Sequence, residues 1–190
     1  MRVALLASMF AGCIPRLYTD GAGEPPSEWE PPENTWTVSA PPADLQGEGY
    51  AKGEVVPDFR LVDQHGDEVS LWQFYGNVIL LDVSTIWCGP CQQLAYETEE
   101  TWHDYRDQGF VYVTVLQEDL EAEPPDGEDL LYWADFFGIT APVLADGDKT
   151  GVTDVPDYPT VLVIGRNMKV RAVVDPPDDQ RIRAAIEDVL

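Results

Sequence analysis

The chain has 190 residues, which is enough for one ordinary domain and an additional segment, and its formal net charge is −24. This charge argues against nucleic-acid partners, because contact with phosphates requires a basic surface. Hydrophobic residues make up 44% of the chain, which is ample for a packed core. We expect a soluble domain that acts as a monomer.

The first residues resemble a bacterial export signal. Arg2 supplies a positive charge, and residues 3–11 are apolar or small, too short a run to span a bilayer. Small residues precede the lone Cys13, as in the bacterial lipobox. We therefore predict a signal peptide of the lipoprotein type at residues 1–12 and lipidation of Cys13. Acyl chains would then hold the protein at the membrane. The alternatives are an ordinary cleaved signal and a wrongly assigned start codon.

Residues 13–51 are predicted to form a flexible linker. They carry three proline pairs separated by Gly, Ser and Glu, a composition that buries too little apolar surface to offset the entropy of ordering. Trp29 and Trp36 are exceptions: either can dock on the domain or meet a partner, but we expect both to be exposed to solvent in a disordered tether. Such a linker would let the domain reach partners away from the bilayer.

Residues 53–190 are predicted to fold as an α/β domain. Apolar and β-branched runs indicate strands, and apolar residues at three- and four-residue spacing indicate helices. The predicted strands are 59–62, 68–71, 78–84, 110–116, 143–144, 160–164 and 169–174, and the predicted helices are 92–106, 129–137 and 177–190. The first two strands form a hairpin around Gly66. The order strand, helix, strand from residue 78 to residue 116 predicts a right-handed βαβ unit.

A Trp-Cys-Gly-Pro-Cys motif occupies residues 87–91, between a predicted strand and a predicted helix. Pro90 suits the first helical turn, where its missing N–H has no partner to lose. Cys88 is therefore expected just ahead of a helix N-terminus. Free amides and the positive end of the helix dipole would favour its thiolate there. Cys91, two residues further on, is placed to resolve a mixed disulfide.

Other uses of a cysteine pair fit less well. A structural zinc site needs two more ligands, but the chain has no second pair and only His65 and His103. Covalent haem needs a histidine after the second cysteine, where this chain has Gln92. A structural disulfide across two residues closes too short a loop to stabilise much. We therefore predict a redox-active dithiol with no metal and no organic cofactor.

The motif and its surroundings resemble the thioredoxin superfamily. Residues 56–59, Val-Pro-Asp-Phe, and residues 158–160, Tyr-Pro-Thr, resemble segments of the redoxin branch of TlpA-like and AhpC/TSA-like proteins. This branch contains membrane-anchored thiol–disulfide oxidoreductases. The resemblance covers about residues 53–190. It implies a thioredoxin-like fold with a central mixed sheet, helices on both faces and an N-terminal β-hairpin extension.

The resemblance also implies roles for individual residues. Asp82 interrupts an apolar strand six residues before Cys88, and burial should raise its pKa. In thioredoxins an acid at this spacing shuttles protons for the resolving cysteine. The Tyr158–Pro159 bond would be cis and would present the Tyr158 backbone to a substrate chain. The active-site motif itself would consist of Trp87, Gly89 and Pro90 around the two cysteines.

These features favour thiol–disulfide exchange on protein thiols and disulfides of the periplasm. Gly-Pro between the cysteines favours a reductase, recharged by a membrane electron donor. The first alternative is an oxidant that forms disulfides. A peroxiredoxin-like antioxidant would need a proline at position 81, where this chain has Leu81. A copper-delivery or interaction protein would use a wider cysteine spacing and a later histidine, but none follows His103.

Overall fold

The computed structural model describes residues 29–153 and 155–190 of the chain. The predicted signal peptide and Cys13 lie outside these residues. Of the helices that the structure describes, none has the length and apolar character needed to cross a membrane.

A seven-stranded mixed sheet forms the centre of the domain. Its strands are β1 (Arg60–Asp63), β2 (Glu68–Ser70), β3 (Val78–Ser84), β4 (Phe110–Leu116), β5 (Val143–Ala145), β6 (Thr160–Ile164) and β7 (Val170–Val174). They lie side by side in the order β2-β1-β5-β4-β3-β6-β7. β3, β4 and β5 are parallel, whereas β1 with β2 and β6 with β7 form antiparallel pairs at the two ends. The predicted α/β class and the N-terminal hairpin are confirmed.

Three helices follow the strands: α1 (Gly89–Tyr105), α2 (Gly127–Phe137) and α3 (Asp179–Glu187). The α2 helix begins two residues earlier than predicted, because the side chain of Asp126 accepts the N–H groups of Glu128 and Asp129 and caps the helix start. It ends at Gly138, which has a positive φ of 68° that suits glycine.

All three helices pack on the same face of the sheet, which corrects the expectation of helices on both faces. Residues of α1, α2 and α3 contribute to one continuous core, the helical-face core, together with Val78 and Leu80 of β3. Two successive right-handed crossovers, from β3 to β4 and from β4 to β5, advance in one direction across the sheet and so place α1 and α2 on one side. The opposite face is covered by residues 50–59 and 71–75, including a 3₁₀ turn at Leu71–Gln73.

Residues 29–51, here called the N-terminal strap, lie against the domain. The indole Nε1 of Trp29 donates to Ser70 Oγ at 3.1 Å, and that of Trp36 donates to Asp63 Oδ2 at 2.7 Å. The Asn34 amide donates to the Gln73 side chain at 3.0 Å. The expected flexible linker is therefore corrected over this range, because specific hydrogen bonds hold a segment whose composition suggested a solvated chain.

Candidate active site

The cysteine pair lies where strand β3 leads into helix α1. β3 ends at Ser84, and Cys88 caps the N-terminus of α1 in an extended conformation. Its Sγ accepts the backbone N–H of Cys91 at 3.2 Å, and the two cysteines form a disulfide. Pro90 lies in the first turn of the helix. The predicted position of Cys88 at a helix start is therefore confirmed.

The two cysteines differ in their access to solvent. Cys88 keeps 3% of its surface exposed, whereas Cys91 keeps none. A visiting disulfide must touch the sulfur that attacks it, so Cys88 is the sulfur that a partner can reach. In the reduced protein, the unpaired amides and the dipole of α1 would favour a thiolate at this position.

A loop with a cis peptide bond packs against Cys88. The Tyr158–Pro159 bond is cis, as the resemblance implied, and the Tyr158 carbonyl oxygen lies 3.6 Å from Cys88 Sγ. Strand β6 begins directly afterwards at Thr160, which pairs with Val83 of β3. The central strand therefore positions both the cysteine motif that follows it and the loop that faces the motif.

A buried polar network holds this loop in place. The Tyr158 hydroxyl donates to Gln117 Oε1 at 2.9 Å. The Gln117 amide donates to Asp146 Oδ2 at 2.9 Å and to the Val152 carbonyl at 2.8 Å. Asp146 in turn accepts the backbone N–H groups of Gly151 and Val152 at 2.8 and 2.9 Å. The position of Tyr158 beside Cys88 thus depends on Gln117, which directly follows β4, and on Asp146, which directly follows β5.

Sequence reasoning missed Gln117 and Asp146. Asp146 is 1% exposed, but it belongs to an Asp-Gly-Asp run that is typical of a solvated turn, and Asp148 in the same run is exposed. Gln117 follows an apolar strand and carries no mark of burial. The one available signal was the position of Gln117. It directly follows β4, at the same edge of the sheet where β3 ends and leads to the cysteine motif.

Trp87 forms the exposed rim of the site and is 47% exposed. Its indole Nε1 donates to Glu118 Oε2 at 2.7 Å, and its ring meets the Tyr158 ring edge-on with centroids 6.2 Å apart. Lys149 Nζ donates to Glu118 Oε1 at 2.5 Å and lies 5.9 Å from the centroid of the Tyr158 ring. The hydrogen bond that Lys149 donates is the largest cause of a lowered pKa at Glu118. The hydrogen bond from Trp87 lowers this pKa to a smaller extent. Sequence reasoning did not identify Glu118 or Lys149.

Asp82 lies buried in the middle of β3 and is 1% exposed. Its carboxylate accepts hydrogen bonds from Ser84 Oγ at 2.6 Å and from the Tyr112 hydroxyl at 3.3 Å. Burial raises the pKa of Asp82 to about 6, and the two hydrogen bonds oppose part of this rise. The direction of this shift is the one expected for a buried carboxyl.

Asp82 lies on the side of the sheet that carries Cys91. Alternate residues of a strand face alternate sides, so Asp82 faces the same side as Leu80. Leu80, Tyr112 and Cys91 all belong to the helical-face core. The arrangement places a titratable carboxyl on the same face of the sheet as the buried member of the cysteine pair.

A metal centre has no support among the described residues. No group of three or more His, Cys, Asp or Glu side chains in residues 29–153 and 155–190 has the arrangement of a metal site.

Comparisons with known proteins agree with this geometry. The chain is 29% identical over 128 residues to the thiol-disulfide oxidoreductase ResA of Geobacillus thermodenitrificans, covering 65% of this chain and 69% of that protein. It is 28% identical over 119 residues to the thioredoxin-like protein YneN of Bacillus subtilis, covering 61% of this chain and 66% of YneN. The chain thus spans about two thirds of the length of these relatives.

Solved structures give the same fold. The structure of a candidate thiol:disulfide interchange protein DsbE from Chlorobium tepidum matches with a TM-score of 0.60 and 28% identity, over 73% of this chain and 99% of that chain. The AhpC/TSA family matches residues 52–173, well over half of the chain. That range contains the cysteine motif, Asp82 and the cis-proline loop, so the chain belongs to the AhpC/TSA family, a redoxin family of the thioredoxin superfamily.

Proposed function

We propose that this protein is a thiol–disulfide oxidoreductase that reduces disulfides in exported proteins. The observation that carries the proposal is the position of Cys88. Its sulfur caps α1 and lies 3.6 Å from the Tyr158 carbonyl, and Cys88 is the only residue of the pair that keeps any exposed surface, 3%. The relatives named thiol-disulfide oxidoreductase and thiol:disulfide interchange protein support the same chemistry.

The reaction proceeds in two exchanges between sulfur atoms. In the reduced protein the Cys88 thiolate attacks one sulfur of the client disulfide, forming a mixed disulfide and releasing the other client sulfur as a thiolate that takes up a proton. Cys91 then loses its proton and attacks Cys88 Sγ. This second exchange releases the remaining client sulfur and leaves the Cys88–Cys91 disulfide. Two electrons pass from the dithiol to the client.

Asp82 accepts the proton of Cys91 in the second exchange. Cys91 is fully buried, so bulk water does not reach its thiol directly, and Asp82 is a buried titratable carboxyl on the same side of the sheet. A carboxyl with a pKa of about 6 is ionised at neutral pH yet basic enough to hold the proton briefly. Gly89 and Pro90 set the first turn of α1 and, with it, the stability of the Cys88 thiolate.

The Tyr158–Pro159 loop holds the client. The cis bond turns the Tyr158 backbone toward Cys88, where its carbonyl can pair with an extended client chain as an added strand. Trp87, half exposed and fixed by Glu118, forms the other wall of the approach. No metal or organic cofactor takes part, because the dithiol itself carries the electrons.

The direction of exchange is proposed from the Gly-Pro pair between the cysteines. Reductases of this fold work near about −270 mV and strong oxidants near about −120 mV, so the equilibrium potential of the Cys88–Cys91 pair separates the two directions. We expect a value close to the first. A value close to the second would make the protein a disulfide-forming oxidant. A membrane electron donor is needed to restore the dithiol after each reduction.

Substitution of each cysteine tests the chemistry. The rate of insulin disulfide reduction by the pre-reduced protein should fall at least about a thousandfold in Cys88→Ser, because the attacking sulfur is lost. Cys91→Ser should accumulate a mixed disulfide with the client, visible by mass spectrometry. Cys13→Ser is the matched control and should keep the full rate.

Equal rates in wild type and Cys88→Ser would overturn the proposal. Peroxide turnover that depends on Cys88 would instead indicate a peroxiredoxin-like antioxidant, and tight copper binding that depends on Cys88 would indicate a copper-delivery protein.

Cell location is part of the same proposal. We place the protein in the bacterial cell envelope, exported and anchored by lipid on Cys13, with the domain facing the periplasm as a monomer. The apolar residues before Cys13 support this placement. In a fractionation assay, Cys13→Ser should move the protein from the membrane to the soluble fraction. Retention of that variant in the membrane would contradict the anchor.

A further inference from the structure

A cavity of about 290 Å³ opens beside the cis-proline loop. Its walls come from three parts of the fold: the loop at residues 156–160, the facing ends of β6 and β7, and Tyr50 at the end of the N-terminal strap. The mechanism proposed above makes no use of this cavity. It lies at the edge of the site, because Pro159 is both a wall of the cavity and the neighbour of the residue that contacts Cys88.

The cavity is within reach of a client chain at the cysteine. The Tyr158 carbonyl lies 3.6 Å from Cys88 Sγ, and the adjacent Pro159 lines the cavity. An extended chain advances about 3.3 Å per residue. A client that pairs with the Tyr158 backbone therefore brings a side chain from within a few residues of its cysteine to the cavity mouth.

The lining combines an apolar interior with negative charge. Pro159, Leu162 and Val173 supply aliphatic walls. Asp157 and Asp175 belong to the lining as well, and both are exposed residues. None of the lining residues is a lysine or an arginine.

Neither of these two carboxylates forms an ion pair within the described residues. The salt bridges of residues 29–153 and 155–190 involve Asp104, Asp107, Asp178 and Asp179 among the aspartates, but not Asp157 or Asp175. A side chain with an aliphatic stem and a cationic end would bury its stem on the walls and bring its charge to these carboxylates. Lysine and arginine have this form.

We propose that the cavity is a client subsite that selects a lysine or arginine close to the reactive cysteine of the client. This inference rests on the proposed exchange reaction and names its substrate class: protein disulfides flanked by a basic residue. The carbonyl of Tyr158 binds the client backbone, and the cavity binds one client side chain selectively. Selectivity then comes from a part of the fold that does not touch the reacting sulfur atoms.

Peptide disulfides of matched sequence test the preference. One series carries lysine at one position, from one to four residues on either side of the cysteine, and a second carries norleucine there, which keeps the stem and lacks the charge. The measured quantity is the second-order rate constant for oxidation of the pre-reduced full-length protein. At one position the lysine peptide should react about fivefold faster than its norleucine partner, the size expected of exposed charge pairs.

Two variants, each with a matched control, test whether the preference for lysine arises at the cavity. Asp157→Asn with Asp175→Asn should remove the advantage of lysine, whereas Glu128→Gln with Asp135→Asn, which makes the same change of net charge on α2, should keep it. Val173→Trp should slow both peptides by filling the cavity. Val62→Trp is its control, because Val62 is exposed to a similar extent, 50% against 51%, on a strand near the other end of the sheet.

The outcomes separate the inference from the proposed function. If every peptide is reduced at one rate, or if the lysine advantage persists in the Asp157→Asn and Asp175→Asn variant, the subsite is wrong and the exchange reaction stands. If the α2 variant loses the advantage equally, the effect is one of net charge and the subsite is again wrong. If no peptide oxidises the protein, the exchange reaction fails and the subsite fails with it.

Discussion

Two aspartates, Asp82 and Asp146, are equally buried but are held by different kinds of donor. Asp146 accepts two backbone N–H groups and the Gln117 amide, all at 2.8 to 2.9 Å. Asp82 accepts only two side-chain hydroxyls, at 2.6 and 3.3 Å. Backbone amides cannot rearrange to suit a neutral acid, whereas hydroxyls can rotate to donate or accept. The comparison teaches that Asp146 serves the shape of the loop and that Asp82 is free to carry a proton.

Asp146→Ala should give the largest effect, a loss of about 4 kcal/mol in the free energy of unfolding. It leaves the Gly151 and Val152 amides buried without an acceptor, each at a cost of about 1–3 kcal/mol. Urea unfolding of the oxidised protein measures the change. Asp148→Ala, two residues away and exposed, is the matched control and should cost less than about 1 kcal/mol. Equal losses in the two variants would mean that Asp146 is no structural anchor.

Asp82→Asn should act in the opposite direction and should stabilise the protein at neutral pH. The pKa of Asp82 rises from 3.8 to about 6 on folding, which corresponds to a penalty of about 3 kcal/mol when the group is ionised in both states. Below about pH 4 both states are protonated and there is no penalty. The penalty grows as pH rises through this window and is complete above about pH 6.

The comparison of wild type and Asp82→Asn therefore needs two pH values. Their unfolding free energies should nearly agree near pH 4, and the variant should be more stable by up to about 3 kcal/mol near pH 7. The same variant should slow insulin reduction by about a hundredfold, because the buried Cys91 thiol loses its proton acceptor. A variant that is more stable at pH 7 but equally active would leave Asp82 titratable and remove it from the mechanism.

Ser84→Ala tests whether the hydroxyl donors set the proton affinity of Asp82. Loss of a short hydrogen bond to the carboxylate should raise the pKa of Asp82 further, because that bond stabilises the ionised form. Tyr112→Phe should raise it less, because that bond is longer. The pH profile of the resolving step measures both shifts. Thr114→Val is the control: Thr114 pairs with Asp82 in the sheet, but its buried hydroxyl has no partner among the described residues, so the profile should not move.

The two aspartates also show which features of the site could be predicted from the sequence and which could not. Asp82 was predictable because a charged residue interrupts a run of seven strand residues, and a local pattern is enough to expose that conflict. Asp146 was not predictable, because its donors come from Gln117 and from a turn five residues later, and only the folded chain brings them together. Local sequence was enough to single out Asp82, the proposed proton carrier, whereas only tertiary contacts define the anchoring role of Asp146.

The same distinction applies to the larger elements. Strands β3, β4 and β6 have the predicted bounds, since each is a dense apolar run whose burial on both faces follows from composition. The placement of all helices on one face was missed, because it depends on strand order rather than on any helix. The N-terminal strap was missed for a third reason. Its proline-rich composition suggests a solvated chain, but a few side-chain hydrogen bonds dock it.

Trp36→Phe tests a third buried aspartate and should have the smallest effect, a loss of about 1 kcal/mol in the free energy of unfolding. Asp63 accepts the Trp36 indole N–H at 2.7 Å and the backbone N–H groups of His65 and Asp67 at 2.8 and 2.9 Å. Phenylalanine keeps an aromatic ring against His65 and removes only the indole donor. The two amides still hold the carboxylate, as in Asp146, so the turn should survive while the strap loosens. A loss as large as that of Asp146→Ala would mean that the strap is part of the core, and that a side-chain donor can anchor a buried carboxylate as firmly as backbone amides do.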